Sequence, residues 1–225
     1  MTKISCNLMP TSANDPHCGD PDDAMHNSDL PPGLSGHHSL REASVLIPLL
    51  KQRDEWHVLY IRRSKNDNDR HSGQVAFPGG ARESGDTDAV DTALRETREE
   101  IGISEDNISI VDKLPVYETI SFFSVTPVVG LLNWPSTMKL QSSEVARAFT
   151  IPLDWLLDES NHELRNRQPE AITGIKKSAV EKPRKVVYFK EYDGELLWGA
   201  SARITLNFLH ALRTKRILIP GWQPK

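Results

Sequence analysis

The stretch Gly73–Ile103, GQVAFPGGARESGDTDAVDTALRETREEIGI, limits the possible folds more than any other part of the chain. In its second half Val90, Ala93, Leu94, Thr97 and Ile101 recur at three- and four-residue steps, which predicts an amphipathic helix with one largely apolar face. Asp86, Thr87 and Asp88 are each competent to cap its start, and Gly102 stands where a C′ glycine ends a helix. Glu96, Glu99 and Glu100 fall at i, i+3 and i+4, so their carboxylates share one face with Cβ atoms about 5–6 Å apart. Like charges so spaced oppose the helix by about 0.2–0.5 kcal/mol per pair. A divalent cation turns that repulsion into coordination, and oxygen-only ligands suit Mg²⁺ or Mn²⁺. An arbitrary acidic triple is more often a solvated face, relieved here by Arg95 and Arg98.

What surrounds the helix favours the metal reading. Ahead of it, Arg62, Arg63, Arg70 and His71 lead into Gly73-Gln74-Val75-Ala76-Phe77-Pro78-Gly79-Gly80. Planar guanidinium forks suit phosphate oxygens, and glycines let a backbone approach an anion or a metal closely. Arg95-Glu96-Thr97-Arg98-Glu99-Glu100-Ile101-Gly102-Ile103 then fits the pattern REUxEExGU, where U is a bulky apolar residue. On those residues, and on their distance from the Gly-Gly turn, the chain resembles the Nudix hydrolases. Arg62 or Arg63 with Ser64, then Arg70, Gly73, Val75 and Phe77-Pro78-Gly79-Gly80, resembles the additional motif of the coenzyme A pyrophosphatase branch. The resemblance runs from about Arg41 to Leu212. Thr97 departs from the pattern at a U position, and Thr87 stands where the usual pattern has a glutamate. Glu83 or Asp86 can supply that carboxylate from a slightly longer loop, as in the coenzyme A branch.

The resemblance implies an α+β fold, an αβα sandwich around a mixed β-sheet. It implies metal ligation by Glu96, Glu99 and Glu100, with a backbone carbonyl of Gly79 or Gly80 completing the shell. Arg95 orients these glutamates, and Arg62, Arg63, Arg70, Gly79 and Gly80 become the substrate-binding set. Glu99 and Glu144 are the two candidates for the base, Glu144 because it precedes the Ile151-Pro152-Leu153 segment at a spacing similar to the family's. Read by itself, Glu144 is an N-terminal helix residue or a solvated loop acid. The implied reaction is metal-dependent hydrolysis of coenzyme A, or an acyl or oxidised form, to 3′,5′-ADP and 4′-phosphopantetheine or its derivative. Two alternatives stay open: a broader nucleoside-diphosphate-linked pyrophosphatase acting on ADP-ribose and similar substrates, and a non-catalytic ligand-binding domain. The intact acidic triple argues against the last.

Composition sets the boundaries. Residues 1–38 hold five prolines, five aspartates and both cysteines, with one lysine and no arginine, so they carry the whole formal charge of −4. Residues 39–225 are neutral and read as one hydrolase domain, whereas the first 38 lack the apolar surface to offset ordering entropy and read as disordered. A neutral domain gives no electrostatic support for binding nucleic acid or membrane; the resemblance implies a small-molecule diphosphate as the partner. No run of eighteen apolar residues and no signal or mitochondrial leader is apparent. Cys6 and Cys18 lack zinc-like spacing and suggest reduced thiols in a cytoplasm. The sequence is silent on oligomeric state.

Elsewhere, Arg41–Leu50 alternates as a strand that Pro48 would confine to an edge or an end, and Trp56–Ile61 is a second strand. Ile108–Val111, Leu114–Tyr117 and Ser124–Leu132 read as further strands, and Asp154–Leu157 as a helical turn. Residues 159–185, with Lys176, Lys177, Lys182, Arg184 and Lys185, read as a polar loop. Asp193-Gly194 signals a hairpin between Val186–Phe189 and Leu196–Trp198. A helix follows with Ala200, Ile204, Phe208 and Leu212 facing the core.

Overall fold

A computed structural model of the chain describes residues 27–29, 40–66, 71–167 and 184–223. Its strands are β1 (Arg41–Gln52), β2 (Glu55–Arg63), β3 (Val75–Ala76), β4 (Gly79–Ala81), β5 (Ile108–Lys113), β6 (Tyr117–Glu118), β7 (Phe123–Leu132), β8 (Val145–Pro152), β9 (His162–Arg167) and β10 (Arg184–Phe189). Its helices are α1 (Ala89–Ile101), α2 (Leu153–Leu157) and α3 (Gly199–Arg213).

β1 runs parallel to β7 and antiparallel to β2, and β8 adds outside β2 while β5 and β6 add outside β7. The sheet is therefore mixed. Two-residue periodicity divides its side chains between two layers. Leu46, Leu50, Leu59 and Ile61 pack on one face in the clusters that hold Ala93 and Ile101 of α1. Ile47, Leu49, Val58 and Tyr60 pack on the other with Ile204, Phe208 and Leu212 of α3. This is the expected α+β sandwich, with one helix layer on each face.

The central strands diverge. β1 pairs with β2 only from Leu49 to Gln52, and beyond that β4 lines β1 while β3 lines β2. The Gly-Gly turn is thereby wedged into the sheet. Pro48 consequently sits in a central strand and not at an edge. Its nitrogen faces the same side as that of Leu46, whose N–H donates to the Pro78 carbonyl at 2.8 Å, and Pro48 falls between the β4 and β2 ladders where no N–H is required. The wedge is braced from behind: the Phe77 and Tyr60 rings lie 4.8 Å apart, and the Tyr60 hydroxyl bonds Thr205 Oγ1 on α3 at 3.0 Å.

The Asp193-Gly194 turn forms with both residues left-handed, closed by Tyr192 and Glu195. β10, however, takes its ladder from β9, and Leu197–Trp198 contributes only one bridge and one backbone bond. β9 lies inside the stretch expected to be a loop, because HELRNR offers a single large apolar residue, Leu164, to reveal it. Lys176, Lys177 and Lys182 lie outside the described residues. Among the described residues, no helix is long and apolar enough to cross a membrane.

Candidate active site

α1 starts at Asp88, whose carboxylate accepts from the N–H groups of Val90 (2.8 Å) and Asp91 (3.0 Å), and stops at Gly102 in the left-handed region. Thr97 is tolerated on the buried face because its hydroxyl donates to the Ala93 carbonyl at 2.6 Å. The three glutamates are not equivalent. Glu100 is 2 % exposed, Glu96 is half-buried and Glu99 is exposed on the flank. Helical geometry explains the split: i and i+4 stack on the inward side, whereas i+3 turns outward.

The wedged turn meets the inward pair. The Gly79 N–H donates to Glu100 Oε2 at 3.0 Å. A Cβ on Gly80 would lie 2.6 Å from the Glu96 carboxylate, and one on Gly79 would strike the Ser44 carbonyl and lie 2.6 Å from Val45 Cα. Gly79 is therefore held to glycine by backbone, whereas Gly80 keeps room for the Glu96 carboxylate.

Arg95 ties the acids together. Its Nε and Nη2 grip Asp86 at 2.9 and 3.0 Å, Nη2 also reaches the Ala81 carbonyl at 3.0 Å, and Nη1 bonds Glu96 (2.9 Å) and Glu99 (3.2 Å). Asp86 further accepts from the Glu83 N–H (2.9 Å) and the Thr92 hydroxyl (3.0 Å). Of the two acids available to replace the one absent at Thr87, Asp86 is the one held in the fork, and Glu83 stays 3.9 Å from Nη1. The Arg95 guanidinium holds the Asp86 carboxyl well below the usual range.

Burial pushes the Glu100 carboxyl up to about 7 against the opposing Gly79 N–H, with the charges of Glu96 and Glu144 reinforcing the rise. Burial likewise raises Glu96, and Glu99 and Glu144 add to it. Glu144, exposed just ahead of β8, is thus brought within electrostatic reach of both inward acids. Its loop is fastened to α1: Lys139 and Gln141 N–H groups donate to the Ile101 and Glu100 carbonyls, and the Glu144 carbonyl accepts from Ser64 N–H at 2.8 Å.

The two adjacent arginines part company. Arg63 acts on Glu100 from the α1 side. Arg62, next in the alternation of β2, lies on the α3 side and meets the buried Glu195 at 3.5 Å, beside Arg147. The structure does not bring Arg62 to the glutamates, and the period of the strand alone could have shown that the pair must divide. Arg70 lies outside the described residues.

Among the described residues, no three His, Cys, Asp or Glu side chains are gathered as a preformed metal cluster. Glu96 and Glu100 instead bond to Arg95 and Gly79. The donor set nevertheless fits a hard divalent ion: the inward acids supply only oxygen, burial raises the proton affinity of both, and they face a turn with no Cβ in the way.

Residues 40–173, more than half of the chain, match the NUDIX domain family. An uncharacterized Nudix hydrolase, NudL, from Pectobacterium atrosepticum is 35 % identical over 177 residues, 78 % of this chain and 84 % of its own. A NudL from Yersinia pestis is 34 % identical over 164 residues, 73 % of this chain and 76 % of its own. A solved C. elegans Ap4A hydrolase binary complex, 23 % identical, overlaps 51 % of this chain and 82 % of its own with a TM-score of 0.43. With the signature helix, the wedged Gly-Gly turn and relatives matched over most of their length, the chain belongs to the Nudix family and is a hydrolase of it.

Proposed function

We propose that this Nudix hydrolase cleaves the diphosphate bridge of coenzyme A or its acyl or oxidised derivatives, releasing 3′,5′-ADP and 4′-phosphopantetheine or its derivative. The observation that carries the reaction class is the inward pair Glu96 and Glu100, packed against Gly79-Gly80 and flanked by Arg63 and Glu144. The coenzyme A assignment is supported by the residues that precede the turn, from Arg63-Ser64 to Phe77-Pro78-Gly79-Gly80.

Glu96, Glu100 and the outer Glu99 would hold Mg²⁺ or Mn²⁺, and a carbonyl of Gly79 or Gly80 would complete the shell. When bound, such an ion neutralises diphosphate oxygens and makes water a stronger nucleophile. Arg95, fixed by Asp86, keeps the acids in register, and Arg63 faces the substrate's negative charge. Glu144 or Glu99 accepts the proton of the attacking water, which bonds to phosphorus as the bridging oxygen leaves with the other phosphate. Phosphoryl chemistry of this kind depends chiefly on positioning and charge neutralisation. We place the protein in the cytoplasm, on its two cysteines without zinc-like spacing.

A hydrolysis panel of coenzyme A, acyl-coenzyme A, ADP-ribose and dinucleoside polyphosphates, run with Mg²⁺ and with Mn²⁺ and resolved by mass, tests the assignment. We expect 3′,5′-ADP from the coenzyme A substrates. Rapid cleavage of ADP-ribose or dinucleoside polyphosphates with coenzyme A intact would replace it with the broader pyrophosphatase reading.

A further inference from the structure

The acidic N-terminal region reads from its composition as separate from the domain, yet three of its residues are bonded into it. The Asp29 N–H donates to the Glu118 carbonyl at 2.7 Å, and the Glu118 N–H donates to the Asn27 carbonyl at 2.9 Å. Ser28 thereby forms a parallel bridge with Glu118 of β6. One more short strand is laid on the outer edge of the sheet.

Side chains make the contact specific. Ser28 Oγ donates to Glu118 Oε2 at 2.9 Å, and Asn207 Nδ2 on α3 reaches Asn27 Oδ1 at 3.4 Å. Asp29 acts on the fully buried Tyr117 hydroxyl, and Arg203 of α3, itself buried, acts on the same hydroxyl with opposite sign. Burial holds that hydroxyl far above its ordinary range, with the Asp29 charge adding to the effect. Asp29 thus brings a carboxylate within electrostatic reach of the Tyr117 hydroxyl from outside the stretch that carries the family match.

We propose that the β6 edge and the adjoining α3 surface, with Arg203 and Asn207, form a docking site for the chain's own Asn27-Ser28-Asp29 segment. The hydrolase unit then begins at Asn27, twelve residues before the compositional step near Ser39. Backbone bonds supply the attraction and the three side chains supply the recognition, as in other strand-addition contacts. The site lies on the α3 layer, the face opposite the glutamates of α1.

Hydrogen exchange and thermal melting of the full chain test this docking, with Asp29→Pro and Asp29→Asn as variants. Asp29→Pro deletes both the donor N–H and the carboxylate, whereas Asp29→Asn keeps the backbone bond. The Glu118 amide should be protected in the native chain and exchange at least about 10-fold faster in Asp29→Pro, the signature of a lost local structure. Melting should fall by about 2–4 °C in Asp29→Pro and by less in Asp29→Asn. A Glu118 amide that exchanges equally fast in the native chain and in Asp29→Pro overturns the proposal. Protection that rises with protein concentration would overturn it too, by assigning the segment to a second copy.

Discussion

Glu100 is the residue on which the proposed metal role and stability pull in opposite directions. Its carboxyl accepts the Gly79 N–H, is almost wholly buried, and has its proton affinity raised to about 7 from 4.5. Below the lower value the folded and unfolded states are both protonated. Between the two values the folded state alone retains the proton, so this group's contribution to stability is lost as pH rises through about 7. Glu100→Gln removes that penalty and keeps an acceptor for Gly79. We expect the metal-free variant to melt higher than the native protein at pH 8 but not at pH 4, while turnover falls roughly 10²–10⁴-fold. Paired calorimetry and kinetics decide it, and full activity in the variant would remove Glu100 from the site. The three acids were legible as a metal-binding pattern, but their inequality was not: burial of Glu100 and exposure of Glu99 arise from what α1 packs against. The choice of Asp86 over Glu83 depends likewise on a loop path that spacing alone leaves open.

The elements that build the site were largely readable because each carries its own local punctuation. Asp88 and Gly102 delimit α1 by their capping chemistry, and alternating residues define β1, β2 and β7. β9 escaped because it packs only Leu164 on the core and owes its place to pairing with β10, whose Val187 and Phe189 are buried there. Pro48 misled because the rule against proline in central strands assumes an unbroken ladder, and β1 faces a gap there. At this scale the two glycines of the turn make opposite predictions. Gly80→Ala pushes only the flexible end of Glu96, so the fold should persist while metal affinity drops roughly 10–100-fold, as for other disturbances of ligand orientation. Gly79→Ala meets backbone at a left-handed position and should lower stability by about 1–3 kcal/mol. Titration with Mn²⁺ and chemical denaturation separate them, and identical profiles for the two variants would contradict the wedge geometry.

For the whole molecule, the layer arrangement followed from the resemblance and from two strongly periodic helices, whereas the attachment of Asn27–Asp29 had no compositional signal at all. Three polar residues in an acidic, proline-rich stretch look like any others until Arg203 and the β6 edge are seen beside them. The charge balance of the site also becomes a property of the entire fold. A divalent ion needs ionised carboxylates, so its binding in the proposed site would displace the proton that burial favours on Glu100. The increase in melting temperature on adding Mg²⁺ or Mn²⁺ should therefore be larger at pH 8 than at pH 6, and should disappear in Glu100→Gln. An increase independent of pH would show that binding does not require deprotonation of this group.

The brace formed by Phe77, Tyr60 and Thr205 carries a consequence for how such an enzyme changes over generations. The turn that presents Gly79 to Glu100 leans on a ring whose hydroxyl is secured on the far layer. If this is the active-site turn proposed above, an exchange on α3 far from the glutamates would reach it through that ring.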